Sequence, residues 1–176
     1  MKTTNTKTII LAAMFAALIF LGTFIIRIPI PATSGYIHFG DGFIYIAAAI
    51  LPMPFAIAAA AIGGFLSDML AGYMFYAPWT AIIKALMALS GVLILRAKKG
   101  PALTKISFKP SLTATIIAGI INVGGYFLVE CIMYTPAGAI VGVPMNILQS
   151  IFGIVIFFIL APVFLRILTI LYPHNK

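Results

Sequence analysis

Charge is what this chain has least of. Only 8% of its 176 residues are Asp, Glu, Lys or Arg, and only three of those are acidic. Globular domains carry about 25% charged residues. A chain with so little charge cannot cover a water-facing surface, which excludes a soluble enzyme, a soluble binding module and a disordered segment. One cysteine, Cys131, excludes an intrachain disulfide and a cysteine-rich metal site. No His/Cys/carboxylate cluster has metal-ligand spacing, so no metal is expected. The phosphate-cradling pattern G-x-x-x-x-G-K-[S/T] is also absent, so no nucleotide cofactor is expected in this chain.

What fills the chain instead is hydrocarbon: 63% of residues are hydrophobic and the mean hydropathy is +1.19. That composition describes an integral membrane protein. Residues 1–176 read as one membrane domain. A run of apolar residues from Ile9 to about Ile26 follows Lys2 and Lys7. It is too long for a signal peptide core and lacks an A-x-A site, so it is expected to be a retained first span.

A hydrocarbon layer of ~30 Å needs about 20 helical residues. On that measure the fold class is all-α, a six-helix transmembrane bundle. The spans are expected at about 8–27, 41–51, 55–72, 79–95, 111–133 and 144–170. The second is short. Leu51-Pro52-Met53-Pro54 breaks the chain after it, because proline lacks a backbone N–H. A Pro/Gly/aromatic loop joins the first two spans, and a basic segment, 96–110, joins the fourth and fifth.

Nine basic residues (Lys2, Lys7, Arg96, Lys98, Lys99, Lys105, Lys109, Arg166, Lys176) fall on one side of this arrangement. Only Arg27 falls on the other. Positive charge marks the cytoplasmic side, so both termini are expected inside (N-in/C-in), in a multi-pass bacterial cell membrane protein. The basic excess is accounted for by topology, and no nucleic-acid partner is expected.

Ionisable groups are costly within lipid, so their depth is informative. Asp68 and Lys84 each lie roughly 7 Å below the outer boundary. Glu130 lies about a turn below it. His38 and Asp41 stand at the outer entry to the second span. Asn122, Tyr126 and Glu130 recur at i, i+4, i+8 on one stripe of the fifth, and Asn146 and Gln149 open the sixth. Every acid is in the outer half, and the opposite half is almost purely apolar. A polar pocket open to the outside follows. Its expected binding residues are His38, Asp41, Tyr76, Trp79, Lys84, Asn122, Tyr126, Glu130, Asn146 and Gln149. Such walls suit a small planar ligand that hydrogen-bonds.

Each residue also has a plainer reading. Asp68 and Lys84 can be a structural ion pair. Asp41 can be a helix N-cap. Glu130 can snorkel to water, and His38 can be an idle loop residue. Tyr76 and Trp79 can belong to the aromatic belt, and Asn146 and Gln149 can join helices. Their gathering at one end favours the pocket. In the first span, Ala12/Ala16 and Ala13/Ala17 are small pairs at i, i+4 that admit another helix closely.

Several segments carry a resemblance. Gly35-Tyr36-Ile37-His38-Phe39-Gly40-Asp41-Gly42-Phe43, the run from Gly64 to Asp68, Tyr76-Ala77-Pro78-Trp79-Thr80, and Pro144-Met145-Asn146-Ile147-Leu148-Gln149 are similar to the substrate-binding S-components of energy-coupling factor (ECF) vitamin transporters. The first segment leans towards hydroxymethylpyrimidine- or pyridoxine-type members. The resemblance implies capture of a vitamin or precursor from outside. It also implies docking onto a transmembrane coupling subunit and two ATPases, which use ATP in the chain's place. The docking motif would be Ala12/Ala16 or Ala13/Ala17. Three other classes compete. An ion-driven stand-alone carrier needs a titratable group reachable from both sides, and the acids lie on one. A membrane-embedded enzyme needs catalytic pairs the spans lack. A purely structural protein leaves the polar cluster without a role.

Overall fold

A computed structural model describes residues 6–30, 35–96 and 106–171. The elements in order are α1 (Thr6–Phe24), β1 (Arg27–Ile30), β2 (Gly35–His38), α2 (Asp41–Ile50), α3 (Met53–Ala71), α4 (Ala77–Arg96), α5 (Phe108–Met133) and α6 (Pro136–Leu171). Five of these helices are long and apolar enough to cross a membrane. The sixth, α2, has ten residues and rises only about 15 Å. The architecture is therefore five membrane-length helices around one short one.

α2 is the buried centre of the bundle. Every residue of it except Phe43 is buried, and it packs on α1, α3, α4 and α6. A helix that is apolar all round belongs in such a place. Glycines let the surrounding backbones approach. A Cβ at Gly42 would collide with Ile156 of α6, and one at Gly153 would lie 2.9 Å from Asp41 Cβ. On α3, a Cβ at Gly63 would meet the Ala16 carbonyl oxygen of α1 at 2.8 Å. These contacts set how deeply α2 and α3 sit.

Two expectations change. The segment after the first span is not an irregular loop: β1 and β2 form an antiparallel hairpin, with Arg27 opposite His38 and Pro29 opposite Tyr36. Pro29 is tolerated because a two-stranded ribbon consists only of edges. The last helix begins at Pro136 rather than near residue 144, with Pro144 and Pro162 inside it. Proline at the first helical position loses no helical hydrogen bond, which suits Pro136 to open α6.

The hairpin, the C-terminal ends of α3 and α5, and the first third of α6 meet at one end of the bundle. Thr6 and Leu171, the outermost described residues, lie toward the other. Lys2, Lys98, Lys99, Lys105 and Lys176, used above for orientation, lie outside the described residues.

Candidate functional site

Two polar layers occupy the hairpin end. The deeper layer centres on an ion pair. Lys84 Nζ of α4 lies 2.6 Å from Asp41 Oδ1 and 2.8 Å from Asn122 Oδ1 of α5. Gln149 of α6 donates from Nε2 to Asp41 Oδ2 at 2.9 Å. Asn122 donates from Nδ2 to Ser150 Oγ at 3.3 Å. Lys84 and Asp41 are 1% and 0% exposed. In so dry a place each charge needs its partner and its hydrogen bonds together.

This corrects two expectations. Lys84 pairs with Asp41 and not with Asp68. Similar depth along two helices says nothing of the direction a side chain takes around each helix, and α2 sits between the outer helices to meet Lys84. Nor is Asp41 an N-cap. Gly40 holds that position and makes no side-chain cap, while Asp41 is the first helical residue and is wholly buried.

The upper layer is a cleft lined by Tyr36, His38, Asp68, Tyr73, Tyr76, Tyr126, Glu130 and Asn146. The hairpin closes it. Tyr36 donates its hydroxyl to Asp68 Oδ1 at 2.6 Å, tying β2 to α3. The backbone N–H of His38 donates to Gln149 Oε1 at 3.3 Å. That bond joins the upper layer to the lower one. Gly40 N–H donates to His38 Nδ1 at 3.1 Å, which leaves Nδ1 the bare nitrogen of the ring. Burial holds His38 neutral, its pKa lowered to about 3. Burial and the neighbouring Asp68 raise the Tyr36 phenol, so it stays a donor.

Local structure explains the convergence. Gly72 closes α3 in the left-handed conformation, φ 86°, which glycine adopts at little cost. The chain then reverses at once, with Tyr73 N–H bonded to the Asp68 carbonyl at 2.8 Å. Tyr73 and Tyr76 are thereby returned beside Asp68. Tyr36 and Tyr73 rings lie 4.8 Å apart. Thr80 Oγ1 and Tyr126 OH are 3.0 Å apart, and Lys84 Nζ lies 5.3 Å from the centre of the Tyr126 ring. The enclosed space is only about 20 Å³, roughly what one water molecule requires. As it stands the cleft holds nothing larger, and Tyr36 and His38 of the hairpin form part of its wall.

A family model described as "ECF-type riboflavin transporter, S component" matches residues 3–166. The chain belongs to this family. It is a family of transporter components and not of enzymes. An uncharacterized protein of Pyrococcus woesei, encoded in a gap 3' region, is 34% identical over 134 residues, covering 76% of this chain and 85% of that one. A solved structure reported as "Structure and mechanism of the S component of a bacterial ECF transporter" shares the fold. Its TM-score is 0.65 at 22% identity, covering 92% of this chain and 97% of that chain. The S component described here is a multi-pass membrane protein.

Of the expected binding residues, His38, Tyr76, Tyr126, Glu130 and Asn146 line the cleft of this S component. Asp41, Lys84, Asn122 and Gln149 form the layer beneath it instead. Trp79 joins neither and is 40% exposed on the outside of α4. Five residues separate Trp79 from Lys84, about 140° around a helix, so the two cannot share the inner face. Tyr36 and Tyr73 line the cleft and were not expected to bind, and Asp68, expected at pocket depth as one of a structural pair, lines it too. Strand alternation holds the signal for Tyr36, since residues i and i+2 share a face and His38 was already a candidate.

Proposed function

We propose that this S component captures a water-soluble vitamin or vitamin precursor in the cleft beneath the β1–β2 hairpin. The observation that carries the reading is the cleft itself. Four tyrosines, two carboxyls, a histidine and an asparagine converge above the buried ion pair in a member of this family. Asn146 is buried and its Nδ2 has no hydrogen-bond partner among the described residues, so it is a donor ready for cargo. Tyrosine faces would sandwich a planar ring, while Glu130, Asn146 and His38 bond its edge. The hydrogen-bonding walls, with the resemblance carried by residues 35–43, favour a one-ring cargo of the pyrimidine or pyridine type. The family description favours a second reading, riboflavin, whose three fused rings demand a wider opening of the hairpin.

The hairpin end faces the outside in this reading, which the basic residues toward the far end support (Lys7, Arg96, Lys109 and Arg166). Both termini are then cytoplasmic. Release inside depends on a transmembrane coupling subunit and two ATPases that consume the ATP. On α1, Ala13 and Ala17 are exposed, whereas Ala12 and Ala16 pack toward the core. That exposure favours Ala13/Ala17 as the docking register. Mass spectrometry of small molecules retained by the purified protein tests the function. A heteroaromatic vitamin or precursor is expected, and a protein that neither retains nor binds any such compound would refute the reading.

A further inference from the structure

A second and far larger space lies outside the cleft: a groove of about 440 Å³ between α5 and α6. Ile116, Ile120 and Val123 form its α5 wall, and Ile147, Ile151 and Ile154 its α6 wall. Gly119 and Ser150 meet at its floor, where a Cβ on Gly119 would lie 3.2 Å from Ser150 Cβ. Toward the start of α5 the rings of Phe108 and Phe158, 5.4 Å apart, bridge the two helices and close the seam. The groove is thus a bounded slot on the flank of two membrane-length helices, open on the side that lipid covers.

The rim decides what fits. Ile116, Ile120, Ile147 and Ile151 are each 44% exposed or more, and β-branched side chains are stiff on a helix. Helices that pack together in lipid approach over small residues, but Gly119 is already covered by Ser150. Stiff isoleucine walls over a narrow floor leave room for a thin apolar chain. Gly124 is exposed, with nothing within 4 Å of where its Cβ would stand, so the far end stays open.

Charge decides which chain. Lys109, Ile116, Ile120 and Val123 recur at i, i+7, i+11 and i+14, so one face of α5 carries both the lysine and the groove wall. Lys109 is exposed and stands about 10 Å of helix from Ile116, within the ~15 Å depth of one leaflet. The three acidic residues all lie toward the hairpin end, so no acidic side chain opposes an anionic headgroup here. We infer that the groove binds an anionic phospholipid of the leaflet on the Lys109 side, with one acyl chain between the isoleucines and its phosphate at Lys109. Ser150 extends the site into the bundle. Its Oγ also accepts Asn122 Nδ2 at 3.3 Å, beside the bond from Lys84 to Asn122. A seated chain therefore packs against the layer that holds the buried ion pair, whatever cargo the cleft takes.

Native mass spectrometry of the delipidated full-length protein tests this, with dioleoyl phosphatidylglycerol and dioleoyl phosphatidylcholine as probes. Phosphatidylglycerol should bind at one saturable site, about 5-fold more tightly than phosphatidylcholine, the worth of one lysine at a membrane surface. Lys109→Gln should erase that preference, and Lys109→Arg should keep it. Ile116→Trp fills the mouth nearest Lys109 and should weaken both lipids, while the melting temperature without lipid stays unchanged. Equal affinity for the two lipids in wild type, the absence of saturable binding, or an unchanged preference in Lys109→Gln would overturn the inference. Lipid binding untouched by Ile116→Trp would place the lipid elsewhere and refute it too. So would a dimer, or a complex with the coupling subunit, whose formation Ile116→Trp abolishes, because another protein would then cover the groove.

Discussion

Asp41 and Lys84 meet at 2.6 Å in the driest part of the bundle, on two helices joined by no other charged contact among the described residues. Their pairing fixes more than two side chains. Asp41 Oδ2 and Asn122 Oδ1 both face Gln149 Nε2, at 2.9 and 3.5 Å. Two acceptors settle which end of the Gln149 amide points down. Its carbonyl oxygen must then point up, where it accepts the His38 N–H of the hairpin. The buried pair thus orients the anchor of the lid.

Removing one member should be far worse than removing both. Lys84→Met leaves a buried carboxylate without its cation, a loss of about 3–5 kcal/mol. Lys84→Met combined with Asp41→Asn keeps an acceptor for Gln149 and buries no charge, so most of that loss should return. Thermal unfolding in detergent of wild type, both single variants and the double variant forms the cycle that checks this.

Gln149→Leu should loosen the hairpin without unfolding the bundle. It deletes the acceptor for His38 N–H and leaves that donor buried, a cost of about 1–3 kcal/mol. Hydrogen exchange should rise at residues 36–39 and stay unchanged in α3 and α4.

Acid should open the lid. The closed hairpin holds His38 neutral with a pKa of about 3, against 6.5 for the free side chain. Below pH 6.5 the open form takes up a proton that the closed form refuses. Closure is therefore at full strength above 6.5 and weakens as pH falls towards 3, by up to about 1.4 kcal/mol per pH unit. A fluorophore and quencher on the hairpin and α6 should report opening across that window. His38→Asn, which keeps an acceptor for Gly40 N–H, should remove the dependence.

Docking and capture should separate on α1. Ala13→Leu or Ala17→Leu adds bulk to the exposed face and should prevent assembly with the coupling subunit while leaving ligand affinity unchanged. Ala16 approaches the close crossing at Gly63, so Ala16→Leu should instead lower the melting temperature. Co-purification of the subunits, with melting curves on the isolated chain, distinguishes the two.

Much of this was legible in the sequence because lipid imposes simple demands. The membrane-length helices follow from apolar runs, and the polar end follows from the depth of Asp41, Asp68 and Glu130. What escaped is direction around an axis and local closure. Depth put Asp68 level with Lys84, but depth carries no azimuth, so the true partner, Asp41, was missed. Trp79 failed for the same reason. The hairpin was hidden because two four-residue strands containing Pro29 present too short an alternation to read. The sixth span was expected from about residue 144, yet α6 begins at Pro136 and carries Pro144 inside it. Five of the cleft residues were expected and Asp68 stood at the right depth, whereas Tyr36 and Tyr73 became visible as lining only when the hairpin and the Gly72 turn brought them together.

Equilibrium titration of the retained compound into three proteins tests the central claim, that cargo binds in the cleft beneath the hairpin. The proteins are wild type, Glu130→Ala with Asn146→Ala, and Trp79→Ala, each shown to melt cooperatively. The account predicts a loss of about 25-fold or more for the double variant, from two buried partners at ~1–3 kcal/mol each. It predicts wild-type affinity for Trp79→Ala. Unchanged affinity in the folded double variant, or a large loss on replacing Trp79 alone, would contradict it.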